Sequence, residues 1–245
     1  MKADPAHQRL LLELADLDAA LARLTHRSNH LSEQQSFEAV QSEHQEANDR
    51  LAALGIAIED LDEQVAKFDT EIDGVRQRED RDRALLDGGA VQAKALADLQ
   101  HELDTLRRRQ ADLEEQQLEI MERREQLQSE QAETLTLIDA LEPDLTTAQV
   151  ARDNALVQID EQRQVARTRR AVLVDSVDPE VAALYERVHA QGGAGAGLLQ
   201  AGRCGACRIG LDRGELARIS AAADDELLRC PECGAILVRS KDLGR

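Results

Sequence analysis

Aromatic side chains are nearly missing from this chain. Phe37, Phe68 and Tyr185 are all it has, 1% of 245 residues, and there is no tryptophan. One large globular core of this length would draw on more of them, so the composition argues against it. Abundant Leu, Ala, Glu, Gln, Arg and Asp favour long helices instead. No run of 18 apolar residues occurs, which excludes a membrane-spanning helix and any membrane role of that kind. The first twenty residues lack a signal-peptide pattern, because acids interrupt their leucines. That predicts a cytoplasmic protein with reduced thiols. No Ser–His–Asp pattern and no lone reactive cysteine are found, and the glycine run at 191–197 is not followed by G-K-[ST]. The expectation is a protein that is not an enzyme and has no small-molecule substrate.

Basic charge is also scarce. The net charge is −18, and residues 1–194 hold 22 basic against 41 acidic side chains. Residues 195–245 hold 8 against 7. Most of the chain therefore repels nucleic acid and anionic membranes.

The chain has four cysteines, Cys204, Cys207, Cys230 and Cys233, in two C-x2-C pairs separated by 22 residues. Each two-residue gap lets the chain turn back so that both sulfurs face one point. Two such knuckles closing on one Zn2+ make a structural site with no open position. Two disulfides would need an oxidising compartment, and a redox C-x-x-C belongs at a helix start in an α/β pattern. Iron is the other metal that four thiolates take. Gly205 and Gly234 suit the knuckle turns.

Before the cysteines the pattern is helical. Asp4-Pro5 is a helix start. Leu10, Leu14, Leu17, Leu21 and Leu24 then give a coiled-coil seam, which slips register between Leu31 and Phe37 and runs on to Val75. Asp87-Gly88-Gly89 interrupts it, and a second seam follows from Leu96 to Ile159. Arms of 5–86 and 91–174 predict an antiparallel hairpin about 120 Å long, turning near 87–90. The rival is one long helix that dimerises. Pro143 disturbs the second arm, and reflection about the turn places it opposite residue 34. A kink is therefore expected at 31–37/143. Gln110, Gln117, Arg124 and Gln131 make half the second seam polar.

Asp178-Pro179 starts a short helix, and the glycine run after it is either a hinge or a strand that another backbone approaches closely. Short strands are expected near 198–202, 226–229 and 236–239. The fold class is thus mainly α: a helical hairpin over residues 1–175, a linking helix and Gly-rich hinge over 176–194, and a small β zinc ribbon over 195–245. His26 and His30 share a helix face, more in keeping with a solvated face than with metal. Arg107-Arg108-Arg109 and Arg163, Arg167, Arg169 and Arg170 are expected to pair with acids on their own helices, although either cluster could touch phosphate or an acidic partner. Around the knuckles, Arg203, Arg208, Arg229 and Arg239 are candidate contacts for nucleic acid or a partner.

From Pro179 to Leu237 the chain resembles a bacterial family. The residues are Tyr185-Glu186-Arg187, the glycine-rich approach, Cys204-Gly205-Ala206-Cys207, and Cys230-Pro231-Glu232-Cys233-Gly234 followed by Ile236-Leu237. It is similar to the C4-type zinc-ribbon family with an N-terminal coiled-coil hairpin, which includes the helicobacter flagellar regulator and its chlamydial relative. The resemblance implies a kinked hairpin ending in a ribbon with the four cysteines on one structural Zn2+. It also implies chaperone-like binding of a sigma factor and contact with a transcript. The family often has Arg after the last knuckle glycine, where this chain has Ala235. The expected function is a non-enzymatic adaptor for a protein partner, a basic component of the transcription or translation machinery. A nucleic-acid-binding regulator, DNA or RNA, and a self-assembling spacer are the alternatives.

Overall fold

Two Asp-Pro pairs set the starts of two helices. In α1 (Pro5–Asn29), Asp4 accepts a bond from the Ala6 N–H at 2.7 Å. In α4 (Pro179–His189), Asp178 accepts from the Glu180 N–H at 2.9 Å. In each, proline fills a position whose N–H would lack a partner, and the aspartate satisfies the next donor. Asp178→Ala is expected to lower stability by about 1 kcal/mol, read as a shift in thermal midpoint. No shift would mean the cap is replaced by water.

The structure, a computed structural model, describes residues 1–88 and 93–239. It is mainly α with a small C-terminal sheet. Between α1 and α4 run α2 (Ser32–Asp87) and α3 (Ala93–Ser176). The ribbon follows: β1 (Ala196–Gln200), β2 (Arg203–Cys204), α5 (Arg213–Ala221), β3 (Leu228–Arg229) and β4 (Ile236–Arg239). The turn expected at 87–90 falls outside the described residues from 89 onward. The chain divides into two compact units, one of residues 1–34 with 150–245 and one of residues 35–149.

In the second unit α2 and α3 pack antiparallel. Ala47 packs with Ile138 and Leu141, and Leu54 and Ile58 pack with Leu127. Two of the four polar seam positions find partners across the pair, Gln117 donating to Asp69 at 2.6 Å and Arg124 meeting Asp62 at 3.2 Å, while Gln110 donates to Glu114 on its own helix at 2.8 Å. These contacts correct the expected register. Pro143 lies at the level of about His44, set by Ala47 against Leu141, and not opposite residue 34. The two sequence irregularities do not coincide. The reflection failed because it centred the pairing at residues 88–89, whereas Ala47 against Leu141 centres it about five residues later. Helix continues through Pro143, while the first arm breaks at His30, whose N–H bonds back to His26 and Arg27 carbonyls.

In the first unit one core joins α1, the end of α3, α4 and the ribbon: Leu11, Leu14, Leu173, Val177, Val181, Tyr185, Ala196 and Ile236. Tyr185 is completely buried, and its hydroxyl donates to Asp18 at 2.8 Å. Arg170 bonds both oxygens of Asp18 and also reaches Glu186 at 2.8 Å. Burial alone would raise the Asp18 carboxyl, but the bonds from Arg170 and Tyr185 together hold it below the usual carboxylate range. Burial, then the bond to Asp18, pushes the Tyr185 phenol up. The arginine clusters thus pair largely between helices: Arg169 with Glu13, Arg107 with Glu79 and Arg109 with Glu71. The expected pairing within one helix holds for Arg107 with Asp104 at 3.3 Å and Arg163 with Asp160 at 3.2 Å, but it overlooked these cross-helix acids.

The sheet order is β2-β1-β4-β3, with β1 parallel to β4 and the outer pairs antiparallel. The glycine run therefore feeds an inner strand. A Cβ at Gly195 would lie 2.4 Å from the Tyr185 ring, so glycine there lets β1 pass beneath α4. Residues 1–3 extend the ribbon: the Ala3 N–H donates to the Asp225 carbonyl at 2.7 Å and the Leu227 N–H to the Met1 carbonyl at 3.1 Å.

Candidate metal centre

The first knuckle leaves β2 at Cys204 and turns back through Cys207. Its backbone lies against β1. The Gly205 N–H donates to the Leu198 carbonyl at 2.8 Å, and a Cβ on Gly205 would sit 2.6 Å from that oxygen. A Cβ on Gly197 would meet the Ala206 nitrogen at 2.5 Å. Two glycines on facing segments thus permit one close approach. The second knuckle joins β3 to β4, and Gly234 closes it at φ 73°, a conformation glycine takes without strain. The Cys230 N–H donates to the Ala235 carbonyl at 2.9 Å.

These turns bring all four sulfurs within 4.8 Å of one another. Cys204 Sγ and Cys233 Sγ are 3.9 Å apart, as are those of Cys207 and Cys230. A tetrahedral zinc with Zn–S of about 2.3 Å needs sulfurs about 3.8 Å apart, so the donor set fits one Zn2+. Backbone N–H groups of Cys207 and Ala206 face the Cys204 sulfur, that of Ile209 faces Cys207, and that of Ala235 faces Cys233. Each favours the thiolate that a metal requires. Burial pushes the Cys204 thiol up, so a buried thiolate there calls for a cation beside it. The C4 ribbon holds one structural Zn2+, and with four protein ligands no position is left to activate water.

The arginines around the knuckles divide into two pairs. Arg239 bonds the carbonyls of Ile219, Ala222 and Ala223, capping the end of α5. Arg229 donates through Nε to the Gly234 carbonyl at 2.9 Å, bracing the second knuckle. Arg203 and Arg208 are exposed beside the first knuckle, and Arg208 takes the left-handed conformation at φ 64°. Ala235 is buried at 1% exposure with its N–H turned to sulfur, so a long side chain has no place there. His26 and His30 stack with ring centres 4.3 Å apart, and His30 Nδ1 lies 3.0 Å from the His26 carbonyl. Among the described residues, the four cysteines form the one group of three or more potential metal ligands. Sequence reasoning missed the Asp18–Arg170–Tyr185 cluster, whose members are far apart in the chain.

No helix among the described residues is long and apolar enough to cross a membrane. Two family models match the chain. The CT398-like coiled coil hairpin domain covers residues 14–193, and the C4-type zinc ribbon domain covers residues 203–237. A Mycobacterium tuberculosis protein is 59% identical over 239 residues, 98% of each chain. A Mycobacterium leprae protein is 44% identical over 93% of this chain and 98% of its own. A solved structure from Mycobacterium smegmatis shares 57% identity, covers 98% of this chain and 100% of that one, and has a TM-score of 0.86. CT398 from Chlamydia trachomatis has a TM-score of 0.75 at 17% identity, over 96% of this chain and 98% of that one. The HP0958 protein from Helicobacter pylori scores 0.54 at 17% identity, over 98% and 99%. The last two share the fold, and they are the chlamydial and helicobacter relatives to which the sequence pointed.

Proposed function

This chain belongs to the family of the CT398-like coiled-coil hairpin with a C4-type zinc ribbon, and on that premise we propose that it is a non-enzymatic adaptor that holds a basic protein partner. Both matched models describe a coiled coil and a ribbon, not an enzyme. The observation that carries the reading is where the charge lies. Residues 35–149 hold 12 basic and 29 acidic side chains, a net of −17. The first unit nets −1. The same acidic helices expose Ile56, Leu118, Met121 and Leu135. Apolar residues set among carboxylates suit helix packing by a cationic protein that is steered in by charge. A component of the transcription or translation machinery is the partner class the family resemblance favours.

The test is affinity capture from the native host with the full chain. It is compared with a variant in which Glu115, Glu119 and Glu122, beside Leu118 and Met121, become Gln. A basic protein retained at low salt, and lost both in the variant and at about 0.5 M salt, is the expected result. Retention unchanged by the variant removes the reading. Exposed Arg203 and Arg208 support a second reading, phosphate contact by the ribbon. It requires that the full chain bind an oligonucleotide with steep salt dependence, weakened by Arg203→Ala with Arg208→Ala.

A further inference from the structure

In a chain of net charge −18, two helical stretches that face each other lack carboxylates: residues 19–32, with Arg23, His26, Arg27 and His30, and residues 162–174, with Arg163, Arg167, Arg169 and Arg170. They lie on α1 and α3 of the first unit and face each other, as the Arg163 contact with the Leu24 carbonyl at 3.5 Å shows. The antiparallel α1–α3 pair has two flanks. Asp18 and Arg170 turn to one, where α4 covers them through Tyr185 and Glu186. Helical spacing puts Leu17, Ala20, Leu24 and Arg27 on the other flank. There they line adjoining hollows with Ala166, Val165 and Gln162, and the α3 rim carries Arg169 with one carboxylate, Glu161, at its far end. Val165 is 69% exposed. Arg23 and Arg27 form the α1 rim. Among the described residues Arg23 has no carboxylate partner, and Arg27 influences only Glu33.

We infer that this open flank is a docking groove for an amphipathic helix of a partner protein, with its apolar ridge on Leu17, Leu24 and Val165 and its acidic edge along Arg23 and Arg27. A two-helix pair buries only part of each seam residue, and a third helix would complete the packing that α4 supplies on the opposite flank. The unpaired guanidinium at Arg23 fixes the sign of the guest's edge. Nucleic acid fits the groove less well. A phosphate backbone gains nothing from an apolar floor, and no aromatic side chain lines the groove for base stacking. This site differs in unit and in charge from the acidic surface proposed above for a basic partner, so the two stand or fall separately.

The probe is a labelled 21-residue synthetic helix with leucines at i, i+3, i+4 and i+7 spacing and glutamates along one edge. Its counterpart carries lysines in place of the glutamates. Fluorescence anisotropy with the full chain should show the glutamate peptide binding at least tenfold more tightly than the lysine peptide. Val165→Glu, and Arg23→Glu with Arg27→Glu, should each weaken it about tenfold or more. These positions are exposed, so circular dichroism and the thermal midpoint should stay at the wild-type values. The Glu115, Glu119 and Glu122 variant should bind the glutamate peptide as the wild type does. Equal affinity for both peptides overturns the inference, as does binding unaffected by the groove variants, or no binding at about 100 μM. Oligonucleotide binding that depends on Arg23 and Arg27 would assign the flank to nucleic acid instead. Self-association abolished by Val165→Glu would assign it to a second copy of the chain.

Discussion

Removing zinc, by chelation or by Cys230→Ser, is expected to unfold the ribbon and to loosen α4 and the first turns of α1 with it. Within its own contacts the ribbon has one small core, Leu199, Ile219, Leu228 and Leu237 around Cys204 and Cys230. So few apolar residues do not hold a sheet with two-residue edge strands. Apparent binding energies for structural zinc, on the order of 10 kcal/mol, make the metal the larger contributor. The loss should spread because Ala196 and Ile236 share a core with Leu11, Leu14, Val181 and Tyr185. The β3 approach is also bonded to residues 1–3, and Gln8 donates to the Asp224 carbonyl at 3.0 Å. Hydrogen exchange should therefore show lost protection over 196–239, 179–189 and the start of α1. Residues 35–149 should keep theirs, and the helical circular dichroism should fall only modestly. Full protection of residues 6–18 in zinc-free protein would show that the shared core stands without the metal.

Arg170→Ala should be the most damaging substitution away from the cysteines. It strips the guanidinium from Asp18, whose side chain is only 7% exposed, and leaves Tyr185 as its close partner. Breaking one side of a buried ion pair costs about 3–5 kcal/mol, a drop of about 10 °C in the midpoint of the first unit. Replacing Asp18 and Arg170 together by leucine should restore part of that, because no charge is then stranded. A single variant as stable as wild type would mean that water takes over the role of Arg170. The pH dependence has a definite sign at each end. Asp18 has a lowered native pKa, so its contribution is complete above the ordinary carboxylate range and is lost as pH falls through the lowered value. Tyr185 has a raised pKa. Its contribution is complete below the ordinary phenol value and is lost as pH rises through the raised one. Melts of wild type and Arg170→Ala should converge in acid, where Asp18 is protonated, and stay apart in alkali, where the Asp18–Arg170 pair remains charged.

Features set by neighbouring residues were legible in the sequence. The Asp-Pro caps, the leucine seams, the four-cysteine pattern and three of the ribbon strands each need only a few adjacent positions. What could not be read depends on partners far along the chain. Periodicity says which face of a helix is apolar, but not which residue lies across from it. The reflection that set Pro143 against residue 34 therefore assumed a turn position that the pairing of Ala47 with Leu141 overrides. The charge clusters were legible only in part for the same reason. Arg170 has no acid four residues away on its own helix, and its partners lie on α1 and α4. For Arg229 and Arg239, candidate outside contacts in the sequence, the bonds to backbone carbonyls leave no mark there.

The bond from Tyr185 to Asp18 joins residues 167 apart, and Lys2 meets Asp225 across 223. On a ribosome the apolar face of α1 is made first and completed last. At about 5–20 residues per second, Leu11 and Leu14 wait on the order of ten to thirty seconds for α4 to emerge. The first unit is then a discontinuous folding unit whose two halves enclose residues 35–149. The intervening hairpin can fold while the outer halves are still apart. Until β4 is released, the nascent chain carries an uncovered leucine stripe, the part of this protein most exposed to misassociation before the zinc ribbon closes.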